Sequence, residues 1–193
     1  DTLEGNITAD RTISAANKNF LKGFVYVKSG ATLTIEAGSV IKGISVASGE
    51  RAASLIIEPG AKIIAEGTVD KPIVFTSDKE PGKRVTGDWG GLIICGNARV
   101  NRTNQPTIEG GPGTHYGNTT SDEFNGESSG KLKYVRIEFA GYPLEPDKEI
   151  NGLTFGGVGS GTEVEFVQVS YSNDDSYEWF GGTVNAKHLI AYK

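Results

Sequence analysis

The stretch Gly30-Ala-Thr-Leu-Thr-Ile-Glu-Ala-Gly-Ser-Val-Ile-Lys-Gly43 is echoed by Leu55-Ile-Ile-Glu-Pro-Gly-Ala-Lys-Ile-Ile-Ala-Glu-Gly67. Ile35-Glu36-Ala37-Gly38 falls on Ile57-Glu58-Pro59-Gly60, 22 residues later. A self-similar period of this size marks a solenoid. Each unit reads as a strand, a glycine turn and another strand: Val25/Val27, Leu33/Ile35, Ile56/Ile63 and Ile73/Phe75 alternate, and Gly30, Gly38, Gly43, Gly60 and Gly67 punctuate them. No amphipathic helix of useful length is present.

A second pair of copies decides how the strands stack. Lys131-Leu-Lys-Tyr-Val-Arg-Ile-Glu-Phe-Ala140 aligns with Glu163-Val-Glu-Phe-Val-Gln-Val-Ser-Tyr-Ser172, 32 residues on. In a parallel sheet like positions lie ~4.8 Å apart, so Lys131 meets Glu163 and Lys133 meets Glu165. Each such pairing is favourable by a few tenths of a kcal/mol. An antiparallel sandwich would not match charge copy on copy. The expected fold is therefore a right-handed parallel β-helix, with a β-sandwich as the alternative. A weaker third copy, Lys187–Lys193, has an ambiguous register. A further ladder is expected from Trp89-Gly90-Gly91, Phe155-Gly156-Gly157 and Phe180-Gly181-Gly182, the aromatics stacking rung upon rung.

Composition agrees. Only 37% of residues are hydrophobic, while 27 of 193 are glycine, as narrow rungs with many corners require. Residues 1–24 read as an N-terminal cap over the first rung of a single 1–193 domain, and residues 101–130, rich in Asn, Thr, Gly and acid, as a long inserted loop. His188–Lys193 reads as a strand interior without a polar cap, so either the natural protein continues beyond Lys193 or this C-terminal strand edge docks on another chain, self-association being one such contact. The chain has no Met, which fits a fragment or a processed part of a longer protein. A net charge of −5 with interspersed signs argues against nucleic acid as partner. No apolar run reaches the length of a transmembrane segment. The single cysteine, Cys95, sits in Leu92-Ile-Ile-Cys-Gly96 and reads as a buried small hydrophobe.

Several long motifs resemble a family of Bacteroidetes cell-surface proteins: Gly23-Phe-Val-Tyr-Val27 through Gly43, Lys71-Pro-Ile-Val-Phe-Thr-Ser77, Gly87-Asp-Trp-Gly-Gly-Leu-Ile-Ile-Cys-Gly-Asn97 and Asn173-Asp-Asp-Ser-Tyr-Glu-Trp-Phe-Gly-Gly-Thr-Val-Asn185. The resemblance implies a secreted or outer-membrane-anchored right-handed β-helix, often a lipoprotein or a type IX secretion substrate. It brings no catalytic residues with it.

Chemistry is expected first at Asn173-Asp174-Asp175-Ser-Tyr-Glu178. There Asp174, Asp175 and Glu178 cluster at a rung corner, and oxygen ligands at a turn suit Ca²⁺; an Asx-type turn is the local alternative. Trp179 and Tyr177 beside these acids are candidates for glycan binding, with Trp89, Tyr116 and Tyr142 as further aromatics. Arg136, at an outward strand position, is the basic group a polysaccharide lyase would need, although pairing with Glu138 is the simpler role. Carboxylate pairs for a glycosidase are available in Asp147/Glu149 and Asp122/Glu123/Glu127. Asn6, Asn101 and Asn118 head N-glycosylation patterns. The leading expectation is a non-enzymatic extracellular cell-surface module with a spacer, adhesion or fibre-assembly role; the alternative binds or degrades polysaccharide. An enzyme would gather Arg136, the acidic corner and exposed aromatics along one groove, whereas a structural module would scatter them.

Overall fold

The computed structural model describes residues 1–46, 52–109, 113–145 and 148–193, with the backbone alone at 144, 145, 148 and 149. Among these residues there are sixteen strands and no helix. The first eight are β1 (Thr2–Ile7), β2 (Arg11–Ile13), β3 (Asn19–Val27), β4 (Thr32–Ile35), β5 (Val40–Gly43), β6 (Ser54–Ile57), β7 (Lys62–Glu66) and β8 (Ile73–Ser77). Then follow β9 (Leu92–Cys95), β10 (Gly130–Glu138), β11 (Pro143–Glu145), β12 (Lys148–Glu149), β13 (Leu153–Val158), β14 (Glu163–Ser170), β15 (Tyr177–Gly182) and β16 (Asn185–Tyr192). Fourteen of them join one sheet, and every pairing within it is parallel; β11 and β12 form a separate antiparallel pair. This is a right-handed parallel β-helix, not a sandwich.

The pairings resolve into three faces. The first stacks β2, β4, β7 and the opening halves of β10, β14 and β16. The second stacks the opening halves of β1 and β3, then β5, β8 and the closing halves of β10, β14 and β16. The third stacks the closing halves of β1 and β3, then β6, β9, β13 and β15. One residue of each alternating pair points inward, and Leu21, Leu33, Ile41, Ile63, Phe75, Leu132, Val135 and Leu153 form part of a continuous buried column.

The expected register at 131 and 163 is present. Lys131 lies opposite Glu163 and Lys133 opposite Glu165, with Nζ–carboxylate distances of 3.0 Å and 3.8 Å. Lys131 also reaches Glu66 on the preceding coil at 3.6 Å. The third copy resolves as well: Val167 pairs with Leu189 and Gln168 with Ile190.

Other expectations are corrected. The Ile-Glu-x-Gly echo does not stack on itself, because Ile35 pairs with Ala65 and Ile57 with Val27. It marks the same corner chemistry used at two different edges of the coil. The corner that lies over Ile57–Gly60 is Val27–Gly30, tied to it by Glu58 N–H to Val27 O at 3.0 Å and Gly30 N–H to Gly60 O at 3.0 Å. The aromatic-Gly-Gly ladder does not form. Phe155 stacks on Trp179 (5.5 Å between centroids) rather than on Phe180, and Trp89 stacks on Phe75. Residues 2–7 and 11–13 are strands of the outermost coil itself, so the first 24 residues are part of the helix rather than a separate cover.

Where faces one and two meet, the later coils turn on single aromatic residues with left-handed backbone: Tyr134 (φ 49°), Phe166 (φ 54°) and His188 (φ 54°). Bulky side chains rarely adopt such angles. Here the rings stack coil on coil, 4.7 Å and then 4.5 Å apart and nearly coplanar, which offsets the backbone cost. Phe139 (φ 61°) and Tyr171 (φ 56°) repeat the device, stacked at 5.2 Å.

The insert between β9 and β10 forms an outer layer on face three. β6 and β9 are buried on both sides, and Ile56, Ile93 and Cys95 pack outward against Val100, Ile108 and Tyr116 of the insert. Its backbone is hydrogen-bonded to the coil, Gly96 N–H to Gly156 O at 2.9 Å and Ala98 N–H to Gly157 O at 2.8 Å. A Cβ at Gly156 would stand 2.8 Å from both Tyr116 Cγ and Ile108 Cδ1, so glycine there is what lets the insert lie flat. Cys95 lies beneath this layer, its thiol pKa pushed up by burial, and acts as the hydrophobe its sequence context implies.

Candidate functional site

The acidic corner forms where face three begins its last described coil. Glu178 is the second residue of β15 and points outward next to Thr154 of β13. Its carboxylate accepts a hydrogen bond from the buried amide of Asn151. Burial is the largest influence and raises its pKa to about 7; the charges of Glu109, Asp175 and Asp174 add to the rise and the Asn151 bond opposes it. Asp174 and Asp175 are exposed in the preceding turn, which is held by Gly152 N–H to Asp175 O at 2.9 Å and Ser172 Oγ–H to Asp175 O at 3.1 Å. The charges of Asp174 and Asp175 act on Glu178, but the three do not close on a common point: among the described residues no three His, Cys, Asp or Glu side chains come together to hold a metal ion.

This arrangement predicts a pH signature. A carboxyl whose folded pKa lies above its ordinary value of 4.5 stabilises the fold below that value and loses this contribution as pH rises through about 7. Glu178→Gln should therefore flatten stability across that window and raise it above, by about 1 kcal/mol after allowance for solvent screening. Urea midpoints of both proteins on either side of the window test this; parallel profiles would contradict it.

The neighbouring aromatics face the wrong way for a platform beside these acids. Tyr177 points into the coil, its hydroxyl 2.7 Å from Val167 O and 2.9 Å from Ile190 O. Trp179 is also an inward residue, stacked on Phe155 and 44% exposed because β15 pairs only with β13 among the described strands. Trp89, Tyr116 and Tyr142 are all buried.

Arg136 lies on face two, away from the acidic corner, and its guanidinium bonds to Glu138 at 2.7 Å. It borders a cavity of about 560 Å³ that runs along the Tyr134–Phe166–His188 ladder and is walled by Val69 and Pro72. Phe166 is covered on both ring faces by its neighbours, and Tyr134 and His188 are each stacked on one face. Two of the remaining carboxylates have structural partners: Asp122 pairs with Arg99 at 3.2 Å, and Glu127 accepts bonds from the backbone and side chain of Asn97. Asp147 and the Glu149 side chain lie outside the described residues. Asn118 Oδ1 accepts from Thr120 N–H at 2.9 Å and Ser121 N–H at 3.0 Å, a turn of the insert.

Sequence reasoning missed Glu109 and Asn151, which help set the state of Glu178, and the aromatic ladder. Glu109 reaches β15 only through the path of the insert, which no local pattern reveals. The ladder was visible, since Tyr134 and Phe166 occupy one column of the aligned copies.

Face, register and buried column together define a pectate-lyase-like β-helix. The family model of that description matches residues 5–193, and the chain belongs to this family. Comparison with curated proteins and with solved structures finds no match.

Proposed function

We propose that this chain is a non-catalytic extracellular β-helix module, displayed at the cell surface, with a spacer, adhesion or assembly task. The observation that carries the reading is dispersal. Arg136 sits on face two and is paired with Glu138, whereas Glu178 and the acidic turn sit on face three. A lyase or glycosidase needs its acid, base and substrate platform within reach of one scissile bond. Resemblance to surface proteins supports the location, and the ion-paired, ladder-stacked coil supports a rigid rod.

The test is a cleavage assay on polygalacturonate, alginate and neutral glucans, with and without Ca²⁺, following unsaturated uronate absorbance and new reducing ends. No product is expected from the protein or from Arg136→Ala. Turnover by the protein that Arg136→Ala abolishes would overturn the reading in favour of a polysaccharide-degrading enzyme.

A further inference from the structure

A second cavity, of about 460 Å³, lies on face three toward the N-terminal coils, where the insert passes the edge of its apolar seat. Its floor is the outward surface of the first coils: Asn6 on β1, Tyr26 on β3, and the corner residues Lys28 and Glu58. Its roof comes from the insert, through Gln105 and His115. Gln105 is fixed by donating Nε2–H to Gly117 O at 3.1 Å, and His115 by a backbone bridge to Thr107. The two walls are thus held rigidly by segments far apart in the chain.

The chemistry of the floor is specific. Lys28 Nζ bonds to Glu58 at 2.5 Å and stands 5.6 Å from the centre of the Tyr26 ring. Cation and carboxylate neutralise each other in place, so the cavity presents no net charge to attract an anion. What it presents is a dense set of planar donors and acceptors: the amides of Asn6, Asn97 and Gln105, a carboxylate with a free lone-pair side and an imidazole. The side chains of Asn6 and His115 are exposed, and no described residue engages their polar atoms. The volume suits one ring-sized ligand.

We propose that this cavity binds a neutral pyranose, the exposed residue of an uncharged glycan. A polyhydroxylated ring satisfies many directional donors and acceptors at once without adding charge beside the Lys28–Glu58 pair. The inference goes beyond the module reading, giving an adhesion module its contact, and does not depend on the absence of cleavage.

Saturation-transfer NMR and calorimetry with methyl α-glucopyranoside, methyl β-galactopyranoside, methyl α-mannopyranoside and N-acetylglucosamine test it, with galacturonate as the anionic comparison. At least one neutral sugar should bind, and bind in preference to galacturonate. Asn6→Ala and His115→Ala, one from each wall and both exposed, should each weaken binding about tenfold with melting temperatures unchanged. Absence of transfer to all four sugars, affinity unaltered in both variants, or preference for galacturonate would each overturn the proposal. A protein that neither binds these sugars nor cleaves polysaccharide would lose this site and keep the module reading.

Discussion

Replacing Trp89 by alanine is expected to cost about 3–5 kcal/mol, the usual range for emptying a large buried aromatic site. Trp89 is fully buried and enters the coil just before β9. Its indole stacks on Phe75 of face two, 6.3 Å between centroids and 16° from parallel. Its Nε1–H donates to the Glu138 carbonyl at 2.8 Å, so one side chain ties the approach to β9 to strands β8 and β10 of face two. The seat is cut for it: a Cβ on Gly43 would lie 2.6 Å from Trp89 Cβ. Alanine would leave both a void and a carbonyl without its donor. Trp89→Phe should recover much of the packing and none of the hydrogen bond. Chemical unfolding followed by circular dichroism reads the loss, and fluorescence identifies the residue, because Trp179, the only other tryptophan, is half exposed. An alanine variant within 1 kcal/mol of the parent would contradict a closed column, since a buried methylene alone contributes about 0.8 kcal/mol.

Such dependence on single interior residues was partly legible beforehand. Alternation in Val135/Ile137/Phe139 and its copy in Val167/Val169/Tyr171 reported the inward face at the two valine-led positions of each, but Phe139 and Tyr171 are left-handed corner residues rather than inward ones. Lys131/Glu163 reported parallel register, because these signals are properties of neighbouring strands. The runs Ser54–Ile57 and Leu92–Cys95 lack alternation, the mark of a strand buried on both sides; they announced a cover without saying what supplied it. The cover is the insert, whose few apolar residues, Val100, Ile108 and Tyr116, are too sparse to show a period. The 22-residue echo reported the solenoid but not which corners stack. Coils differ in length: stacked positions are 22 residues apart from Arg11 to Leu33 but 30 apart from Leu33 to Ile63 and from Val27 to Ile57, so a 22-residue shift from Ile35 lands on a different corner. The acidic corner was legible as a cluster in sequence, but the burial, Asn151 and Glu109 that give Glu178 its raised pKa come from other coils and from the insert.

The insert has to return to the coil, and Gly130 is where it does so. Here φ is +116° and a Cβ would stand 1.9 Å from the carbonyl oxygen of Ile63 on the preceding coil. That oxygen belongs to the backbone of β7, which pairs directly with β10 at this residue, so no rotamer change relieves the contact. Gly130→Ala must either tear the opening of β10 from β7 or push β7 along the stack toward β4, its other neighbour in the sheet. Backbone strain alone costs about 1–3 kcal/mol, and the lost pairing brings the expected total to roughly 3–5 kcal/mol, a large fraction of the 5–15 kcal/mol typical of a domain. Gly82→Ala separates the two causes. Gly82 has a comparable left-handed φ of 82° with nothing within 4 Å of its Cβ position, so it should lose about 1 kcal/mol. Urea midpoints of the two variants, measured together, decide the matter. If both fall equally, strain is the whole effect and the close approach of β10 to β7 is not what fixes the insert. If Gly130→Ala falls much further, the insert, with its roof over the Lys28–Glu58 cavity, is anchored at its return by a contact that only glycine permits.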